Sequence, residues 1–146
     1  MTVKERIVDE IALLFDKQID ISEELTLDQL GIIFEGLLYG LDVIQRFACS
    51  PYDYDQMNEI LDGMRKGIDT DIYSNPSYNY LQMKIIKDTL YDNLDANILL
   101  EDNYSWEQMY QLRLGLLDGL DVGYYASSEL AVTDMIKIRK ELLGVA

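Results

Sequence analysis

Four aspartates, Asp42, Asp69, Asp95 and Asp121, recur at offsets of 27, 26 and 26 residues, and repeated carboxylates are the first place to look for chemistry. Carboxylates can run acid–base catalysis or hold a hard cation, provided they converge on one point. Repetition at this period argues the other way. In a stacked array, equivalent positions lie about one helix-packing distance apart, about 8–10 Å, which is too far to share a metal. An aspartate directly after a helix break has a simpler use, as the cap of a following short turn. The segment DTDIYSN from Asp69 offers oxygen ligands at alternate positions, but an EF-hand loop needs glycine sixth and a bidentate glutamate twelfth, where this chain has Ser74 and Tyr80. Asp53 and Asp55 stand close together in YDYDQ, and a capping role already accounts for Asp53. The chain has no histidine and one cysteine, Cys49, so histidine-based triads, histidine general bases and zinc sites drop out, and no internal disulfide can form. Cys49, in a connection ahead of Ser50 and Pro51, reads as a packing residue more readily than as a nucleophile. A glycine-rich phosphate loop is also missing. These residues predict a chain that is not an enzyme and that has no cofactor and no metal site.

The elements that carry the aspartates are written four times. Aligned on glutamine plus an apolar residue, they read TLDQLGIIFEGLLYGLDV from Thr26, DYDQMNEILDGMRKGIDT from Asp53, NYLQMKIIKDTLYDNLDA from Asn79 and SWEQMYQLRLGLLDGLDV from Ser105, with no internal gap. Each opens on a short side-chain oxygen (Thr26, Asp53, Asn79, Ser105) able to accept from an orphan N–H at a helix start. Three residues on stand Gln29, Gln56, Gln82 and Gln108, from which glutamine reaches back to complete a capping box. Leu25, Tyr52, Tyr78 and Tyr104 precede the caps; Leu30, Met57, Met83 and Met109 follow five residues later, the two ends of a hydrophobic staple. Apolar residues then recur at helical spacing, as in Met57, Ile60, Met64 and Met109, Leu112, Leu116, so one face goes to a core. Gly40, Gly67, Asn93 and Gly119 supply the stop, because a left-handed residue just past a helix end favours glycine or asparagine. Four or five residues after each aspartate comes Phe47, Tyr73, Leu99 or Tyr125, which predicts a one-turn helix whose large residue falls back onto the core. Pro51 and Pro76 stiffen the re-entry of the chain ahead of the next staple.

Weaker copies lie at both ends. Thr2 and Glu5 make a capping box, Ile7 and Ile11 are assigned to the core columns, and Asp16 to the aspartate column. At the other end Leu130 and Met135 keep the staple, Ile138 and Leu142 the core columns, and Gly144 an end signal, while Lys137, Arg139 and Lys140 make the last helix basic where its dipole favours cations. The fold expected is all-α: a short, right-handed, α-solenoid-like array of about six main helices with short turns or helices in the connections. One domain is expected over 1–146, with degenerate caps at 1–25 and 131–146 around repeats at 26–52, 53–78, 79–104 and 105–130. The pattern Gln-Met, then Ile or Leu with Arg, Gly-Leu, and Gly-Leu-Asp-Val is clearest in QMYQLRLGLLDGLDV and weakest in the unit from Asn79, which lacks both glycines. It resembles tandem repeats in uncharacterised proteins of anaerobic Gram-positive bacteria and their mobile elements. The resemblance covers Thr26 to about Tyr125 and implies a cellular setting and an architecture rather than an activity.

Charge selects the class of partner. The chain has 27 acids against 12 bases, a net charge of −15, which opposes direct binding to a phosphate backbone. The same charge keeps a protein soluble and attracts a basic partner. No apolar run approaches the eighteen or so residues of a membrane span, and MTVKERIVDEIALLF carries acids where a secretory leader is apolar, so a cytoplasmic protein without membrane association is expected. Tyr54, Tyr80 and Trp106 fall on the first helical position, where they either cover the core between repeats or line one edge. Aromatic anchors beside steering carboxylates suit an interface. The candidate partner-binding residues are therefore Asp28, Tyr54, Asp55, Asp62, Tyr80, Asp88, Trp106, Glu107 and Asp118. Binding rather than catalysis is expected, with a basic, nucleic-acid-binding protein as the partner. In the mobile-element setting that the resemblance implies, this becomes an inhibitor of a host-defence nuclease, a nucleic-acid mimic in the manner of an anti-CRISPR protein. The other expectation is a structural module that assembles with copies of itself into a homo-oligomer.

Overall fold

The four central helices each begin where their capping boxes predict. A computed structural model describes residues 2–17, 25–47 and 51–145, so Cys49 lies outside the described residues. In chain order the helices are α1 (Val3–Phe15), α2 (Leu27–Leu38), α3 (Ile44–Phe47), α4 (Tyr54–Arg65), α5 (Tyr80–Tyr91), α6 (Asn97–Leu100), α7 (Trp106–Leu117) and α8 (Val132–Leu143). Two 3-10 turns, Thr70–Ile72 and Val122–Tyr124, join short α3 and α6 in the connections, and there is no strand among the described residues. Among the described residues the protein is all-α with six main helices.

Local chemistry sets the helix ends. Thr26, Asp53, Asn79 and Ser105 each accept from the N–H of the glutamine three residues on, whose Oε1 accepts from the cap's own N–H, all at 2.8–3.2 Å. Thr2 and Glu5 do the same for α1, whereas α8 starts at Ala131 without a side-chain cap. Gly40, Gly67, Asn93 and Gly119 close the four central helices with φ between 57° and 73°. Asp16 is a correction: it ends α1 in the left-handed region at φ 53°, so it fills the stop column rather than the aspartate column. A short polar side chain tolerates that conformation where glycine is missing.

The glutamine has a second bond that the capping box does not require. Gln29 Nε2 donates to the Tyr52 carbonyl at 2.8 Å, Gln56 to Pro76 at 3.1 Å and Gln82 to Tyr104 at 2.7 Å. Gln108 donates to both Ser128 and Leu130 at 2.9 Å. Each tie joins the start of one main helix to the chain just ahead of the next. Glutamate could close the box but has no proton to donate when ionised, which explains why this column reads Gln.

Packing divides the chain into two compact units, 1–77 and 78–146. In the first, α1 packs on α2 and α2 on α4; in the second, α5 packs on α7 and α7 on α8. Gln82 at the start of α5 is tied to Tyr104, two residues before α7, while Arg113 in the second half of α7 bonds to Thr89 and Asp92 at the end of α5. The two helices therefore run the same way. Leu30, Ile33, Met57 and Ile60 fill the first core, and Met83, Ile86, Met109, Leu112 and Met135 the second. Phe47, Tyr73, Leu99 and Tyr125 fall back onto these cores as their spacing predicts. Met64 and Leu116 are only half-buried, as is Ile7, because they stand at the margin of the buried face.

A glycine and a tyrosine are matched in two of the repeats. A Cβ added at Gly63 would collide with the Tyr73 hydroxyl, and one at Gly115 with the Tyr125 hydroxyl. The space is used: Tyr73 Oη donates to the Glu59 carbonyl and Tyr125 Oη to the Gln111 carbonyl, both at 2.8 Å. In the unit from Asn79 the connection residue is Leu99, and the helix carries buried Thr89 in place of glycine. Thr89 Oγ1 donates to the Ile85 carbonyl at 2.7 Å, the position equivalent to Glu59 and Gln111. The missing glycine and the missing phenol are one coupled exchange.

Candidate partner-binding faces

The repeated aspartates do not converge. Asp69, Asp95 and Asp121 each accept from the N–H two residues on, at 3.1–3.2 Å, and so cap the short turns that follow. Among the described residues no group of three His, Cys, Asp or Glu side chains is placed to hold a metal ion. A hollow of about 560 Å³ between Phe15, Leu37 and Ile44 has, among the described residues, one carboxylate, Asp42, and one ammonium, Lys17, on its wall. That lining offers no acid–base pair of like groups held in different environments, the arrangement that separates a catalytic acid from a catalytic base.

The candidate residues lie instead on the outward sides of the main helices, four in residues 1–77 and five in residues 78–146. In the first unit Tyr54 is exposed at the first position of α4 with Asp55 beside it, Asp28 is exposed in the first turn of α2, and Asp62 is half-buried near the end of α4. In the second unit Tyr80 and Trp106 are exposed at the starts of the packed helices α5 and α7, with Glu107 in the first turn of α7. Asp28, Asp55 and Glu107 thus also complement the helix dipole. Asp62, Asp88 and Asp118 are held by the chain's own cations: Lys66 at 3.0 Å, Lys84 at 3.1 Å and Arg139 at 3.8 Å.

Other cations are also turned to internal partners. Arg46 pairs with Asp71 at 2.7 Å and Arg113 with Asp92 at 2.6 Å. Arg65 lies 3.9 Å from Glu35 and stacks 4.0 Å over the Tyr39 ring. Ser128 bonds the Asp102 carboxylate through its hydroxyl at 2.6 Å and its N–H at 3.3 Å. That hydroxyl, with help from the Asn103 and Ser128 N–H groups, holds the Asp102 carboxyl below the usual range. The remaining surface keeps the excess of negative charge.

Compared with known proteins, the chain matches no family model, no curated protein and no solved structure.

The outward faces include residues the sequence pattern did not single out. Along α7, Trp106, Tyr110 and Leu117 are 37%, 46% and 50% exposed, one stripe on the side away from the core. Tyr91 on α5 and Leu38 and Tyr39 at the end of α2 are exposed as well. The signal was present as a second helical period, offset from the buried one, but a hydrophobic residue at helical spacing is ordinarily assigned to the core. Tyr104 is buried, and burial pushes its phenol above the ordinary value, while Tyr78 is half-buried.

Proposed function

We propose that this protein is a non-enzymatic binding protein whose outward helix faces engage a basic, nucleic-acid-binding protein. The observation that supports the reading is that exposed aromatic residues stand next to carboxylates in the first turns of main helices, as at Tyr54–Asp55 and Trp106–Glu107, in a chain of net charge −15. Aromatic residues supply anchoring area while carboxylates steer a cationic surface and keep nucleic acid off. An inhibitor that occupies the nucleic-acid channel of a host-defence nuclease is the form of this function that fits the repeat resemblance. Capture from host lysate at low salt, repeated at high salt, tests it. Recovery of a basic nuclease that elutes with salt, and whose cleavage of DNA the protein blocks, is the expected result. Recovery of only acidic or neutral proteins, indifferent to salt, would sink the reading.

Self-association is the second reading, favoured by the exposed apolar side chains of Leu13 and Leu14 on α1. Light scattering separates the two: mass that grows with concentration in the absence of any partner supports assembly.

A further inference from the structure

Helix α7 carries apolar side chains on two stripes, the outer one interrupted by half-buried Arg113 between Tyr110 and Leu117. Met109 and Leu112 are buried against the core, and Trp106, Tyr110 and Leu117 stand exposed opposite them. The neighbours of α7, helices α5 and α8, extend the uncovered surface: Tyr80 and Tyr91 on α5 and Leu143 on α8 are exposed at positions that correspond, repeat by repeat, to Trp106 and Leu117. Exposed large apolar side chains grouped on packed helices and bordered by polar groups suit a docking site.

The rim decides what docks. Acids outnumber bases in residues 78–146 by 11 to 6. Three of those six bases are engaged internally: Lys84 with Asp88, Arg113 with Asp92 and Thr89, and Arg139 with Gln111 and Asp118. Glu107 stands beside Trp106 in the first turn of α7, and with the unit's surplus of acids over bases the field there attracts cations. A second copy would arrive with the same charge of −15 and be repelled. From Trp106 to Leu117 the stripe runs about 16 Å, three helical turns, which matches the apolar side of a short helix laid along it. Strand addition has no edge to use, since no strand exists among the described residues.

We infer that the outward face of α5, α7 and α8 docks an amphipathic helix of the partner, with apolar anchors at helical spacing and lysine or arginine on its flanks. The inference rests on the proposed binding function and names the face and the form of the partner. Trp106 is the only tryptophan in the chain, so its fluorescence reads occupancy of the face directly. Three peptides of about 18 residues, five turns of helix, are titrated onto the full chain: an amphipathic Leu/Lys helix, a Lys/Ser peptide of equal charge, and a Leu/Glu helix of the same pattern. The expected result is a saturable blue shift of Trp106 with the Leu/Lys helix alone. Combined Tyr110→Ser and Leu117→Ser should weaken that binding about tenfold or more, with helical circular dichroism unchanged because both residues are exposed. Tyr91→Ser gives a second, independent variant of the same face.

Equal binding by the Lys/Ser peptide would overturn the docking face while leaving the charge-based function standing. Equal binding by the Leu/Glu helix would show that the rim does not select cations and would overturn both. No shift of Trp106 with the Leu/Lys helix, or a Trp106 emission already blue in a chain that scatters as a dimer, would overturn the inference as well.

Discussion

The carbonyls of Glu59, Ile85 and Gln111 each accept a hydroxyl, yet two of those hydroxyls come from a tyrosine in the following connection and one from a threonine in the same helix. Either solution fills the volume and satisfies the donor, so neither half should work with the other's partner. Gly63→Thr against Tyr73 overpacks the site and should cost about 1–3 kcal/mol. Tyr73→Leu against Gly63 leaves a void and should cost about 2–4 kcal/mol. The double variant reproduces the Thr89–Leu99 arrangement, and in a urea double-mutant cycle it should fall short of the sum by at least about 1 kcal/mol; strict additivity would refute the coupling. Tyr125 offers a pH readout of the same pocket. Burial, chiefly, pushes its phenol from 10.0 up to about 12. Because the folded value lies above the unfolded one, the contribution is full below pH 10 and is lost as pH rises through about 12. The loss is bounded at about 3 kcal/mol. Tyr125→Phe should therefore start less stable, by the lost hydrogen bond, but decline less steeply than the parent between those pH values. Parallel declines would mean that the phenol titrates normally.

At the scale of the helix, the glutamine column ties each central helix start to a backbone carbonyl 20–23 residues further along the chain. Gln82 accepts from the Asn79 N–H and donates to the Tyr104 carbonyl at 2.7 Å. Gln82→Glu keeps the first bond and sets a carboxylate oxygen against a carbonyl, so at neutral pH it should cost about 1–3 kcal/mol, the penalty of a lost and opposed hydrogen bond. Once protonated, the same glutamate can donate to Tyr104. Its folded pKa then lies above the ordinary value of about 4.3, and the stability it supplies is present below that pH and lost as pH rises. The deficit relative to the parent should accordingly shrink below about pH 4 in thermal melts, whereas Gln82→Met should show a deficit without that pH dependence. The first bond was legible in the sequence and the second was not, for a physical reason. Caps, stops and staples are settled within five or so residues, so Thr26, Gln29 and Gly40 announce themselves. The tie from Gln29 ends 23 residues away at a backbone carbonyl, which has no sequence signature. Asp16 was misread because aspartate serves both as a cap and, less often, as a left-handed stop. The stripe of Tyr110 and Leu117 was missed because an apolar period on an exposed face is written in the same letters as one on a buried face.

Charge is the property that belongs to the molecule as a whole, and salt exposes its sign. Ion pairs such as Arg113–Asp92 at 2.6 Å and Arg46–Asp71 at 2.7 Å are contacts far shorter than any Debye length in dilute buffer. The repulsion among the surplus carboxylates, left by 27 acids against 12 bases, acts over longer distances. Raising the salt from about 10 mM to about 100 mM shortens the Debye length from about 30 Å to about 10 Å, which removes the long-range term and leaves most of the contact term. Repulsion should therefore lose more than attraction, and the urea midpoint should rise, by stability on the order of 1 kcal/mol, the scale of one surface pair. A midpoint that fell would mean that the short pairs govern the fold. Binding to a basic partner responds with the opposite sign, since screening weakens attraction between unlike surfaces. Salt that steadies the fold while loosening the complex is the combination expected of an acidic binding protein. An affinity that held constant as the fold grew firmer would place the binding energy in the apolar stripe of α7 and reduce the charge to a device for solubility.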